Sequence, residues 1–172
     1  MHVLAMMLLA VLPLALVLAA VCDLRAMTIP DRISIALVLL FFPAAVVAGL
    51  PWAQIALAPV AALSVFLAGF GLFALNVMGG GDAKLLSASA LWFGFNISLF
   101  EYLVAVSFAG GALALAVLLL RHAARRLPAL ASSMPASLVS SNRLPYAVAI
   151  AIGGLASFGK APLILALLDA TP

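Results

Sequence analysis

The sequence predicts an all-α fold, a polytopic membrane bundle of about six transmembrane helices, and three observations carry that reading. First, 68% of the 172 residues are hydrophobic and only 8% are charged, whereas a soluble domain carries roughly 25% charged residues. Eight basic and five acidic side chains cannot cover a water-facing exterior, and the mean hydropathy of +1.37 points to lipid as the main solvent. Second, charged and turn-forming clusters divide the chain into apolar segments of about 16 to 25 residues, the length that crosses roughly 30 Å of hydrocarbon. Third, runs such as Ala109 to Leu120 are apolar at every position, which excludes the alternating pattern of a membrane β-barrel.

The first segment runs from about Val3 to Cys22. Only His2 stands before it, so the positively charged region of a cleaved signal is missing, and the run is longer than a signal's apolar core. Val21 precedes Cys22 where a lipoprotein signal has a small residue, so the segment is read as a retained helix. The single cysteine forms no internal disulfide. The second segment spans about Ile33 to Gly49, the third Gln54 to Val77, and the fourth, the shortest, Ala83 to Ser98. The fifth runs from Tyr102 to Leu120 and the sixth from Pro145 to Leu168. Between them, Arg121 to Leu144 is rich in Ala, Ser, Pro and Arg and reads as a cytoplasmic loop (121–144). No separate soluble domain or internal repeat is visible, so residues 1–172 form a single membrane-embedded domain.

The charges set an orientation. Arg25 and Arg32 lie between the first two segments, Lys84 between the third and fourth, and Arg121, Arg125, Arg126 and Arg143 between the fifth and sixth. The opposite links carry no Lys or Arg. By the positive-inside rule the basic side is cytoplasmic and both termini lie outside the cytoplasm; Lys160 is the exception, snorkelling toward the far interface. A pI near 9.6 does not imply nucleic acid, because the basic residues are scattered and form no phosphate-binding stripe.

Charge at membrane depth is expensive, so each acid is a candidate for function. Two spans separate Asp23 from Asp82, which returns the chain to the same face; Glu101 and Asp169 fall on the other, and Asp31 is the only rival partner. Asp82 follows Gly79, Gly80 and Gly81, a stretch without side chains against which an extended peptide fits. Its plainer reading is a helix N-terminal acid after a Gly-rich turn. Asp23 has a plainer reading too, a helix-end acid paired with Arg25 or Arg32. Together they suggest more: two neighbouring carboxylates do not easily both ionise, so one activates water while the other serves a carbonyl oxygen, which suffices to hydrolyse a peptide bond without metal or cofactor.

The string Gly79-Gly80-Gly81-Asp82-Ala83-Lys84-Leu85 resembles the GxGD motif of aspartyl intramembrane-type proteases, in the form found in prepilin peptidases. Asp23 to Asp31, with Pro30 seven positions after Asp23, resembles that family's second signature, which ends in Pro and then Asn or Asp. Leu144-Pro145-Tyr146 resembles the stretch that opens the family's last helix. The resemblance implies a membrane aspartyl endopeptidase that removes the basic leader from type IV prepilins or pseudopilins, its partners within the bilayer, at the cytoplasmic face of a bacterial inner membrane. Asp23 and Asp82 would be the catalytic pair, with Gly79, Gly80, Gly81, Lys84 and Pro30 shaping the site or contacting substrate. It implies no methyltransferase domain, and the chain's size matches the compact subgroup serving Flp-type pili.

Other chemistries have less behind them. His2 and His122 lie far from the acids in sequence, and no spacing of His, Cys and carboxylates suggests a metal site. Ser64, Ser87 and Ser89 lack a partnering His and are expected to bond their own helix backbone. A small proton- or ion-coupled transporter using Asp23 and Asp82 is the alternative, weakened by their position at one edge of the membrane rather than its midplane. An inactive assembly subunit is a third reading.

Overall fold

The computed structural model describes residues 2–126 and 144–169. Within them all regular structure is helical. The helices are α1 (His2–Ala26), α2 (Asp31–Val47), α3 (Trp52–Ala74), α4 (Gly80–Phe93), α5 (Ile97–Arg126), α6 (Tyr146–Ala156) and α7 (Pro162–Asp169), with a 3-10 turn, Phe158–Lys160, between the last two. Each of the six expected apolar segments is therefore a helix or, at the end, a bent pair.

Local chemistry sets the boundaries. Past α2, Gly49 adopts a φ of 69°, and the N–H groups of Gly49 and Leu50 return to the carbonyls of Val46 and Ala45 at 3.1 and 3.0 Å. This is a Schellman closure. Past α3, Asn76 does the same work with a φ of 58°: its N–H reaches Phe73 O and that of Val77 reaches Leu72 O, both at 2.9 Å. Asn tolerates this left-handed region better than other residues with a Cβ. Prolines sit just ahead of helices, with Pro30 capping α2 and Pro51 capping α3, since the residue ahead of the first turn needs extended rather than helical backbone. Asn96 caps α5, its Oδ1 accepting the Ser98 N–H at 2.7 Å.

The count of six spans is not met by length. Among the described residues three helices are long and apolar enough to cross a membrane, within Met7–Ala26, Trp52–Ala74 and Ile97–Ala124, and a fourth span results if α6 and α7, bent by 47°, are taken as one. With 17 and 14 residues, α2 and α4 extend only about 25 and 21 Å at 1.5 Å per residue. For α4 the reason is its location. It packs against α2, α3, α5, α6 and α7, and every residue from Leu85 to Phe93 is buried. A helix ringed by other helices needs no apolar length matched to lipid.

A second expectation also shifts. The helix α5 continues through Arg121 and His122 to Arg126, so the start of the expected 121–144 loop is helical, and residues 127–143 lie outside the described residues. At 30 residues, α5 is about 45 Å long, more than the hydrocarbon thickness; its basic end extends past the apolar layer.

The core forms around α4. Trp92 is buried against Phe41 of α2, and its indole N–H donates to the Leu37 carbonyl at 3.1 Å. Phe93 stacks on Tyr102 of α5 with ring centroids 4.2 Å apart, and the Tyr102 hydroxyl lies 2.6 Å from Ser89 Oγ. The serines behave as expected: Ser64, Ser87 and Ser89 bond the carbonyls of Val60, Ala83 and Leu85. Lys160 pairs with Glu101 at 3.3 Å, joining the 3-10 turn that follows α6 to the start of α5.

Candidate active site

Asp23 occupies the last turns of α1 and Asp82 the first turn of α4. Both are buried, with 6% and 8% of their surface exposed. They line one cavity of about 450 Å³ together with Asp31, the three glycines 79–81, Thr28, Ile29, Asn76 and Tyr146. The cavity thus collects side chains from the ends of α1 and α3, the starts of α2 and α4, and the approach to α6. Asp23 and Asp82 thus line the same cavity from different helices.

The Gly-rich segment is built for contact. Gly79 caps α4 with a φ of −73°, a value any residue adopts, so backbone freedom does not explain it. Space does: a Cβ there would stand 2.7 Å from Asp82 Oδ2. Asp82's carboxylate is folded back over the turn that precedes it. A Cβ at Gly81 would meet Ile29 at 3.3 Å, and one at Gly80 would meet Phe73 at 3.4 Å. The run accordingly seats the start of α4 against the α1–α2 link on one side and α3 on the other.

Asp23 is held from another direction. The Ala147 N–H donates to Asp23 Oδ2 at 3.0 Å. Ala147 lies in the first turn of α6, where backbone N–H groups have no helical partner, and Pro145 caps that helix. The last helix thereby fixes the orientation of a carboxylate on the first. Sequence reading missed this contact because the donor is a main-chain group. The signal available was Pro145-Tyr146, which marks a helix start with free amides.

The remaining expected residues divide. Lys84 does not line the two-carboxylate cavity. Its ammonium binds both oxygens of Asp31 at 2.9 Å, tying α4 to the start of α2, with half or more of each side chain exposed. Asp31 is therefore present at the cavity with its charge matched. Pro30 caps α2 and so places Asp31 in that helix's first turn, but it is not among the residues lining the cavity. Thr28, Ile29, Phe73, Asn76 and Tyr146 also line it; the sequence placed Thr28, Ile29 and Tyr146 within motifs without giving them a role, and Phe73 and Asn76 carried no signal.

The arrangement offers two buried carboxylates on separate helices lining one cavity of about 450 Å³, and comparison with known proteins bears on what such a space serves. No curated protein and no solved structure matches this chain. A model of the type IV leader peptidase family matches residues 10–115, from α1 into α5, a stretch that contains both Asp23 and Asp82. On that match, which covers more than half of its length, the chain belongs to the type IV leader peptidase family.

Proposed function

We propose that Asp23 and Asp82 are the catalytic pair of a membrane aspartyl endopeptidase that removes the basic leader from a type IV prepilin or pseudopilin. The observation that carries this reading is the shared cavity: two buried acids from α1 and α4 open onto the same space. One carboxylate takes a proton from water as its oxygen bonds to the scissile carbonyl carbon. The other donates a proton that ends on the departing amine when the C–N bond breaks. A closely spaced pair divides these roles because two like charges resist ionising together.

The glycines 79–81 leave room for an extended peptide backbone beside Asp82, while Pro30 and Lys84 act through Asp31. The basic links favour the cytoplasmic face of a bacterial inner membrane for the site and the opposite side for both termini.

Co-expression with a Flp-type prepilin tests the proposal. Asp23→Ala and Asp82→Ala are expected to insert normally and to abolish leader removal, measured as the mobility shift of the pilin. Glu101→Ala, paired with Lys160 elsewhere in the bundle, is expected to cleave as the parent does. Normal processing by either Asp variant defeats the two-carboxylate mechanism.

A further inference from the structure

A second, larger cavity of about 550 Å³ lies beside the first. Its walls are α2 and α3, each of which packs on α4 and scarcely on the other, so the space between them opens sideways and α4 forms its floor. Ile35, Leu39 and Phe42 form the α2 wall and Pro59, Ala62 and Leu63 face them from α3. Ile35, Leu39 and Leu63 are more than half exposed. From Asp31 to Phe42 the α2 wall runs about 16 Å, three turns at the helical rise.

Two features identify what fits there. Asp31 lines both this groove and the two-carboxylate cavity, so a chain lying in the groove passes directly to the candidate catalytic pair. At that junction Lys84 is already bound by both oxygens of Asp31. A cation matched in this way has little left for an anionic lipid headgroup, whereas an apolar peptide needs no counter-charge. The small residues Ala62 and Ala88 on wall and floor permit the close helix approach by which membrane segments associate.

We propose that the α2–α3 groove docks the apolar helical segment that follows the scissile bond of the substrate, leaving the chain to cross the Lys84–Asp31 pair in extended form and reach Asp23 and Asp82. This deepens the peptidase reading and rests on it. The groove then selects substrates by their membrane segment, and the two-carboxylate cavity sees only the few residues around the bond.

The test uses two substrates, a full leader-bearing prepilin in detergent or liposomes and a short soluble peptide spanning the leader and scissile bond only. Ala62→Trp and Leu63→Trp fill the groove and touch neither carboxylate. Both are expected to lower kcat/KM for the full substrate by about tenfold, the effect of an overpacked contact, and to leave the peptide unchanged. A photo-reactive residue at Leu39 or Leu63 is expected to cross-link to the prepilin, while one at the lipid-facing Phe108, 78% exposed on α5, is not. Unchanged cleavage of the full substrate by both variants, equal losses on both substrates, or cross-links from Leu39 and Leu63 to lipid alone overturn the docking proposal while leaving the peptidase reading intact. Failure of the parent to cleave either substrate overturns both.

Discussion

Asp82 Oδ2 lies so close over Gly79 that a single methyl group there would press on it, at 2.7 Å. The contact is to the end of a side chain, so Gly79→Ala is expected to fold and insert while rotating the Asp82 carboxylate. Misplacing a reacting group by about 1 Å can lower rates about a hundredfold, and a loss of that order in leader cleavage is expected for Gly79→Ala. Gly71→Ala is the control, since a Cβ there meets nothing within 4 Å; it should cleave as the parent. Equal activity of the two variants would show that the carboxylate's position over Gly79 is irrelevant. The same logic separates the acids. Asp31 and Asp23 both line the cavity, but Asp31 is joined to Lys84, whereas Asp23 is oriented by a main-chain N–H.

Helix α6 governs how well that N–H is held. Its Gly153-Gly154 pair lets it sit tightly between two neighbours. A Cβ at Gly153 would stand 2.6 Å from Val106 N on α5, and one at Gly154 would stand 2.5 Å from Leu16 Cδ1 on α1. The Leu16 side chain can rotate away, but the backbone of α5 cannot. Gly153→Ala therefore separates α5 from α6, with an expected loss of about 1–3 kcal/mol, typical of overpacking. Thermal unfolding in detergent reads this. Leader cleavage should fall alongside, because α6 carries the Ala147 amide that orients Asp23. Gly159→Ala, with open space around it, should change neither. Close approach of backbones through small residues is the common mode of helix association in lipid, where apolar burial provides no driving force between helices.

Across the whole molecule, short and long helices coexist because they meet different surroundings. The long α1, α3 and α5 present extended apolar faces, with Leu18, Leu67 and Phe108 each more than half exposed, as lipid contact requires. The short α4 is enclosed. An enclosed helix between longer ones leaves room at its end for the two-carboxylate cavity, which lies at the start of α4 rather than at mid-height. The proposed orientation rests on the placement of the basic residues. In a Cys22→Ser background, cysteines placed at Arg25 and Arg121 are expected to react with an impermeant reagent only from the cytoplasmic side, and cysteines at Trp52 and Phe95 only from the opposite side. Labelling of both sets from one side would refute that topology and, with it, cleavage at the cytoplasmic face.

The helical segmentation was legible from composition because long apolar runs interrupted by Arg, Pro and Gly leave the backbone few alternatives in lipid. Asp23 and Asp82 stood out for a related reason: acids are so rare in this chain and so expensive at membrane depth that each demanded an explanation. Which faces turn inward was not legible. Lipid and protein interior are equally apolar, so these helices show no polar stripe to mark the outside. The rotation of each helix, and hence the Ala147 amide on Asp23, the capture of Asp31 by Lys84 and the open side between α2 and α3, depends on contacts between residues far apart in the chain. Only the tertiary packing of small against large side chains decides those contacts.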